Sequence, residues 1–251
     1  MFEASHLQHN IVSGYIQVVS DGHYLPAFWA HPDLGGSFPG LLMLHSDWGL
    51  TAHTRSQARR FAEMGYYVIA PDLFNRQTVN TPEQAQALIT ELGEVAYSRV
   101  TAALHALRSH HKCNGQIGII GWRLGGRLAL HTAALRDDVD ALVIFYGLPD
   151  ELAPAELLML TCPVLTFLGI NDPATPPDKV ERLCTLLAQT GQPHHVIVFP
   201  AAGCDFFDDS RPNFEEAAAE AAWLRTLEFL AAHLEQAQPG ESGPFEPGKV
   251  Y

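Results

Sequence analysis

Apolar residues recur along this chain in short continuous runs, and between the runs they return every three or four positions. Pro39 to His45, Tyr66 to Ala70, Ala141 to Tyr146, Pro163 to Leu168 and His195 to Phe199 are runs of the first kind. Such a run is the pattern of a strand covered on both faces. His53 to Met64, Thr81 to Leu92, Val95 to His110, Asp178 to Gln189 and Asn213 to Leu234 carry the second pattern, which predicts helices with one apolar face. Thr81-Pro82-Glu83 supplies an N-cap followed by proline, and Gly65 a stop after the first helix. Upstream of all these, Ile11 to Ser20 and Tyr24 to His31 flank Asp21-Gly22, a hairpin signal. Strands alternating with helices predict an α/β fold: one domain with a mostly parallel central sheet and helices on both faces. The domain is expected to span 1–235, with a Pro-, Gly- and Glu-rich tail over 236–251.

One junction breaks the rhythm. The strand expected over Ile117 to Ile120 runs straight into Gly121-Trp122-Arg123-Leu124-Gly125-Gly126 and then into a Leu- and Ala-rich helix. Small residues on either side of a strand-to-helix turn allow a tight backbone, and a turn of this shape lifts its central side chain above the sheet. That side chain is Arg123, and a guanidinium is neither nucleophile nor base at ordinary pH.

Composition narrows the classes of function. A net charge of -13 argues against nucleic acid and anionic membrane surfaces as partners. The N-terminus lacks a basic and apolar leader, and no apolar window is long enough for a membrane span. Four cysteines (113, 162, 184 and 204) stand far apart with no Cys-x-x-Cys pair, which suits a reducing cytoplasm. His110-His111 and His194-His195 lack a third ligand at metal spacing, and the elbow lacks the Gly-x-Gly-x-x-Gly of a dinucleotide site, so neither metal nor cofactor is expected.

Three stretches carry a resemblance: His45-Ser46-Asp47-Trp48-Gly49-Leu50 through Ala70-Pro71-Asp72-Leu73-Phe74, the turn Gly121 to Gly126, and Phe199 through Phe206. In order and spacing the chain resembles the dienelactone hydrolases, a branch of the α/β-hydrolase fold, over nearly its whole length. The resemblance implies hydrolysis of small esters or lactones by a Cys-His-Asp triad. Its nucleophile position falls on Arg123, its base on Cys204 and its acid on Asp172, while a glutamate common in the family falls on Ser46. The triad thus reads Arg123-Cys204-Asp172, with only the acid keeping its type. The oxyanion hole is expected from the backbone N–H groups of Leu124 and Asp47, with the Asp47 carboxylate opposing an oxyanion if it turns inward.

These replacements support an expectation of impaired hydrolysis, with Arg123 either paired to Asp172 or gripping the carboxylate of a small anionic ligand. Arg76 is a second candidate contact, and His45, Ser46, Trp48, Trp122, Tyr146 and Phe206 are expected around the cleft. Two alternatives stand beside this one. The first is an active hydrolase with an unusual nucleophile, such as Cys204 activated by a nearby guanidinium. The second is a structural protein, for instance an oligomer subunit with a closed pocket.

Overall fold

The computed structural model describes residues 8–77, 79–146 and 154–234. Eight strands form one sheet: β1 (Ile11–Ser20), β2 (His23–Pro32), β3 (Phe38–Leu44), β4 (Tyr67–Pro71), β5 (Cys113–Trp122), β6 (Ala141–Phe145), β7 (Val164–Gly169) and β8 (His194–Phe199). Their order across the sheet is β1-β2-β4-β3-β5-β6-β7-β8. The hairpin β1–β2 and the pair β2–β4 are antiparallel, and every later pair is parallel. Among the described residues seven helices accompany the strands, with α2 and α3 consecutive: α1 (Ala52–Glu63), α2 (Pro82–Leu92), α3 (Val95–Ser109), α4 (Leu124–Leu135), α5 (Pro154–Leu157), α6 (Pro177–Gln189) and α7 (Glu216–His233).

The core divides along the sheet. Leu92, Val100, Leu104, Leu130 and Leu183, from α2, α3, α4 and α6, pack on one face. Ala58 and Phe61 of α1 and Ala222 and Leu230 of α7 pack on the other. β3, β4, β6 and β7 are buried along their whole length, as their unbroken apolar runs require.

Two element starts differ from the pattern by more than one residue, and one short helix is absent from it. β5 begins at Cys113 rather than Ile117, because Cys113 pairs with Phe38 of β3 ahead of an irregularity that takes up Asn114-Gly115-Gln116 before Ile117 pairs with Gly40. Periodicity is blind to that polar start. α7 begins at Glu216, since the Glu215 carboxylate accepts the Ala218 N–H at 2.7 Å and 213–215 stay outside. The four-residue α5 is too short to leave a periodic signal. The tail over 236–251 lies outside the described residues.

The sheet reverses its strand order about β3: the chain leaves β3 for β4 on one side and returns to β5 on the other. A crevice opens at the carboxyl ends of strands at such a point. The β3 and β5 ends there carry His45 to Trp48 and Trp122 to Leu124.

Candidate functional site

The elbow is built by backbone contact among β3, β5 and α4. A Cβ on Gly121 would lie 2.2 Å from the Gly125 carbonyl oxygen, and a Cβ on Gly125 would lie 2.1 Å from that of Leu44. Only glycine permits this approach, and it drives the intervening residue into an unusual conformation. Arg123 has φ 48° and ψ -110°, a region costing a side-chain-bearing residue about 1–3 kcal/mol. Its N–H donates to Phe145 O at 3.0 Å, and its carbonyl accepts the Arg127 N–H at 3.0 Å. The strained geometry suited to a nucleophile is therefore kept, with a guanidinium in its place.

Arg123 is not paired with Asp172. Its Nε donates to Asp47 Oδ2 at 2.7 Å, while Asp47 Oδ1 accepts the Leu124 backbone N–H at 3.1 Å. The Asp47 side chain has turned inward and occupies the Leu124 N–H that the family's oxyanion hole would offer. Burial alone would lower the Arg123 pKa, but the Asp47 charge and hydrogen bond outweigh it and hold the pKa above its ordinary value. The sequence pointed to Asp172 because acid and nucleophile positions converge in the family. It does not encode how the loop after β3 folds over the α4 N-terminus, and Asp47 is nearer.

Asp172 sits in the turn after β7 and is buried. Its Oδ1 accepts the Ala174 N–H at 2.9 Å, but its buried Oδ2 has no hydrogen-bond partner among the described residues. Cys204, after β8, is half-buried, with Asn213 Nδ2 4.0 Å from its sulfur. Burial, reinforced by the Asp205 carboxylate, pushes its thiol pKa up despite the opposing pull of Arg123. This reverses the expectation of a guanidinium-activated thiolate: desolvation and the neighbouring acid outweigh the cation.

The expected cleft residues separate into two groups. Ser46, Trp122 and Tyr146 line a cavity of about 10 Å³ together with His53, Thr54, Asp205 and Asp208. Space of that size holds about one water. The Tyr146 hydroxyl accepts the Phe207 N–H at 2.6 Å, and burial raises its pKa well above the usual phenol value. The other four have different surroundings. His45 is fully buried, its Nδ1 2.7 Å from Ser46 O and its Nε2 accepting the Leu73 N–H at 3.0 Å, so both nitrogens are spent on loops. Trp48 donates to Asp205 Oδ2 at 3.3 Å, and the Arg211 guanidinium stacks 3.8 Å above its ring. Phe206 is core, edge-on to Tyr146 and Phe199. Arg76 is exposed, its backbone N–H held by Asp72 Oδ2 at 2.9 Å.

Sequence reasoning missed His53, Asp205, Asp208 and Asp209. His53 Nδ1 lies 3.3 Å from Asp208 Oδ1 and 3.0 Å from Asp209 Oδ1. Donor atoms of these three lie within 4.8 Å of one another, the one such group among the described residues that could hold a metal ion. No periodic or motif signal joins residues more than 150 positions apart, although a histidine in the first turn after the β3 loop was visible in the sequence.

The chain is similar to known proteins over most of its length. A provisionally named carboxymethylenebutenolidase of Escherichia coli O157:H7 is 32% identical over 235 residues, covering 88% of this chain and 87% of that protein. A similarly named protein of Methylorubrum extorquens is 29% identical, covering 88% and 81%. A crystal structure described provisionally as a dienelactone hydrolase from Klebsiella pneumoniae superposes with a TM-score of 0.82 at 26% identity, covering 89% of this chain and 99% of that one. The model of the dienelactone hydrolase family matches residues 25–234, and the chain belongs to that family.

Proposed function

We propose that this chain is a dienelactone hydrolase family protein whose elbow has lost covalent catalysis and instead anchors the carboxylate of a small molecule. One observation carries the reading: the Asp47 carboxylate bridges Arg123 Nε and the Leu124 N–H. A planar guanidinium beside a strained-turn N–H offers donors suited to a carboxylate, and the Asp47 contacts with both support that reading. A ligand carboxylate would take the place of Asp47. The lactone in the relatives' name, carboxymethylenebutenolide, bears such a group. Among the described residues Asp172 Oδ2 has no hydrogen-bond partner, which supports a site without the histidine that the family's reaction uses.

Calorimetric titration with carboxymethylenebutenolide tests the anchor. Removing the internal competitor with Asp47→Ala is expected to tighten binding about tenfold, which corresponds to about 1.4 kcal/mol, and adding Arg123→Ala to abolish it. Binding indifferent to Arg123 overturns the reading, as does an acyl adduct at residue 204 in the quenched protein. The cavity of about 10 Å³ favours a second reading, a closed scaffold kept for a structural role such as an oligomer subunit. That reading predicts no binding even in Asp47→Ala. A cytoplasmic location belongs to the proposal, and four free cysteines support it.

A further inference from the structure

His53, in the first turn of α1, has 8% of its side chain exposed and plays no part in the elbow. Its Nδ1 faces two carboxylates, Asp208 at 3.3 Å and Asp209 at 3.0 Å. Carboxylates only accept, so the neutral ring carries its proton on Nδ1 and leaves a lone pair on Nε2. That Nε2 is buried and has no hydrogen-bond partner among the described residues. His53 also lines the water-sized cavity with Ser46 and Trp122, and Trp122 Nε1 is a second buried nitrogen without a partner among the described residues. A water there would find an acceptor, a donor and a hydroxyl, the partners a buried water needs. Ser46 and Trp122 immediately precede Asp47 and Arg123, so this cavity adjoins the carboxylate anchor.

We propose that His53, oriented by Asp208 and Asp209, is a relocated general base that activates a water in this cavity against an ester or lactone whose carboxylate is held by Arg123. The proposal rests on the anchoring role of Arg123. The water oxygen bonds to the substrate carbonyl carbon as its proton passes to His53 Nε2. The tetrahedral adduct then collapses, the acyl C–O bond breaks, and the departing alkoxide takes the proton from the imidazolium. Ester and water become acid and alcohol with no acyl-enzyme. His53 would be the catalytic residue, and Asp208 and Asp209 positioning residues.

The test is steady-state hydrolysis of carboxymethylenebutenolide, with phenyl acetate as an uncharged comparison. His53→Gln is expected to lower kcat about 100-fold or more, the scale of general base catalysis, for both substrates and with little change in KM. Arg123→Ala should raise KM for the lactone alone. Imidazole in the buffer should restore part of the rate to His53→Gly, a response that a merely structural histidine would not give. The Asp208→Asn, Asp209→Asn double variant should lower kcat without moving KM, and thermal midpoints establish that each variant is folded. The proposal is overturned if the wild type has no turnover above buffer, if folded His53→Gln keeps its rate, or if imidazole restores nothing. A His53 effect on phenyl acetate with no Arg123 effect on the lactone would instead defeat the anchoring role.

Discussion

Asp172 Oδ2 is a buried acceptor left without a donor among the described residues, and burial pushes up the thiol pKa of Cys204, the residue at the position where the family resemblance places a histidine. An unsatisfied buried polar atom costs about 1–3 kcal/mol, so the position retains a debt that an imidazole would remove. Cys204→His should therefore raise stability by about 1 kcal/mol, or about 2–4 °C in thermal midpoint. The gain should vanish in an Asp172→Ala background, and a double-mutant cycle by thermal melting checks both arms. At this scale the sequence locates positions better than partners. Arg123, Asp172 and Cys204 could be placed at strand ends because glycines and apolar runs mark those ends. Asp47 could be named only as a carboxylate beside a backbone N–H. Which acid meets the guanidinium depends on the closing direction of the loop over 45–51, between β3 and α1, and neither spacing nor periodicity encodes that.

Between elements, His45 ties the end of β3 to the loop after β4. Its Nε2 accepts from Leu73 and its Nδ1 bonds Ser46 O, an arrangement that needs a neutral ring. Burial is the main cause lowering its pKa below the ordinary imidazole value, opposed by the Ser46 carbonyl and the Asp72 and Asp47 charges. The unfolded chain thus takes up this proton more readily than the folded one. Its contribution is complete above about pH 6.5, the unfolded value, and is lost as pH falls toward the folded pKa. Urea unfolding at a series of pH values should show stability dropping from pH 7 to 5 more steeply than in His45→Gln. The difference is bounded by about 1.4 kcal/mol per pH unit, one proton's worth. The alternation of strands and helices around this tie followed from apolar runs and helical periods, whereas the order of the strands across the sheet did not. The pin itself did not, because a histidine closing a strand reads equally as a ligand contact or a loop anchor until the second loop is in place.

Over the whole molecule, the charge of -13 and the proposed carboxylate anchor act in opposite directions, and salt separates them. Near 0.01 M ionic strength the Debye length is about 30 Å, so the full negative charge reaches an approaching anion; near 0.1 M it is about 10 Å, and only neighbouring groups count. The Arg123 side chain is 30% exposed and meets a carboxylate at contact distance, where screening acts weakly. Raising salt should then remove more repulsion than attraction. In Asp47→Ala, which opens the anchor, affinity for carboxymethylenebutenolide is expected to rise about twofold between 0.01 and 0.15 M NaCl and then level off. Titration calorimetry across that range checks it. A steady fall would mean that an exposed cation binds the ligand, for which Arg76 in the β4–α2 loop is the available candidate, and Arg76→Ala would then remove the salt dependence. A rise that disappears with Arg123→Ala would locate binding at the elbow, where the scaffold of a nucleophile holds a cation inside an acidic protein.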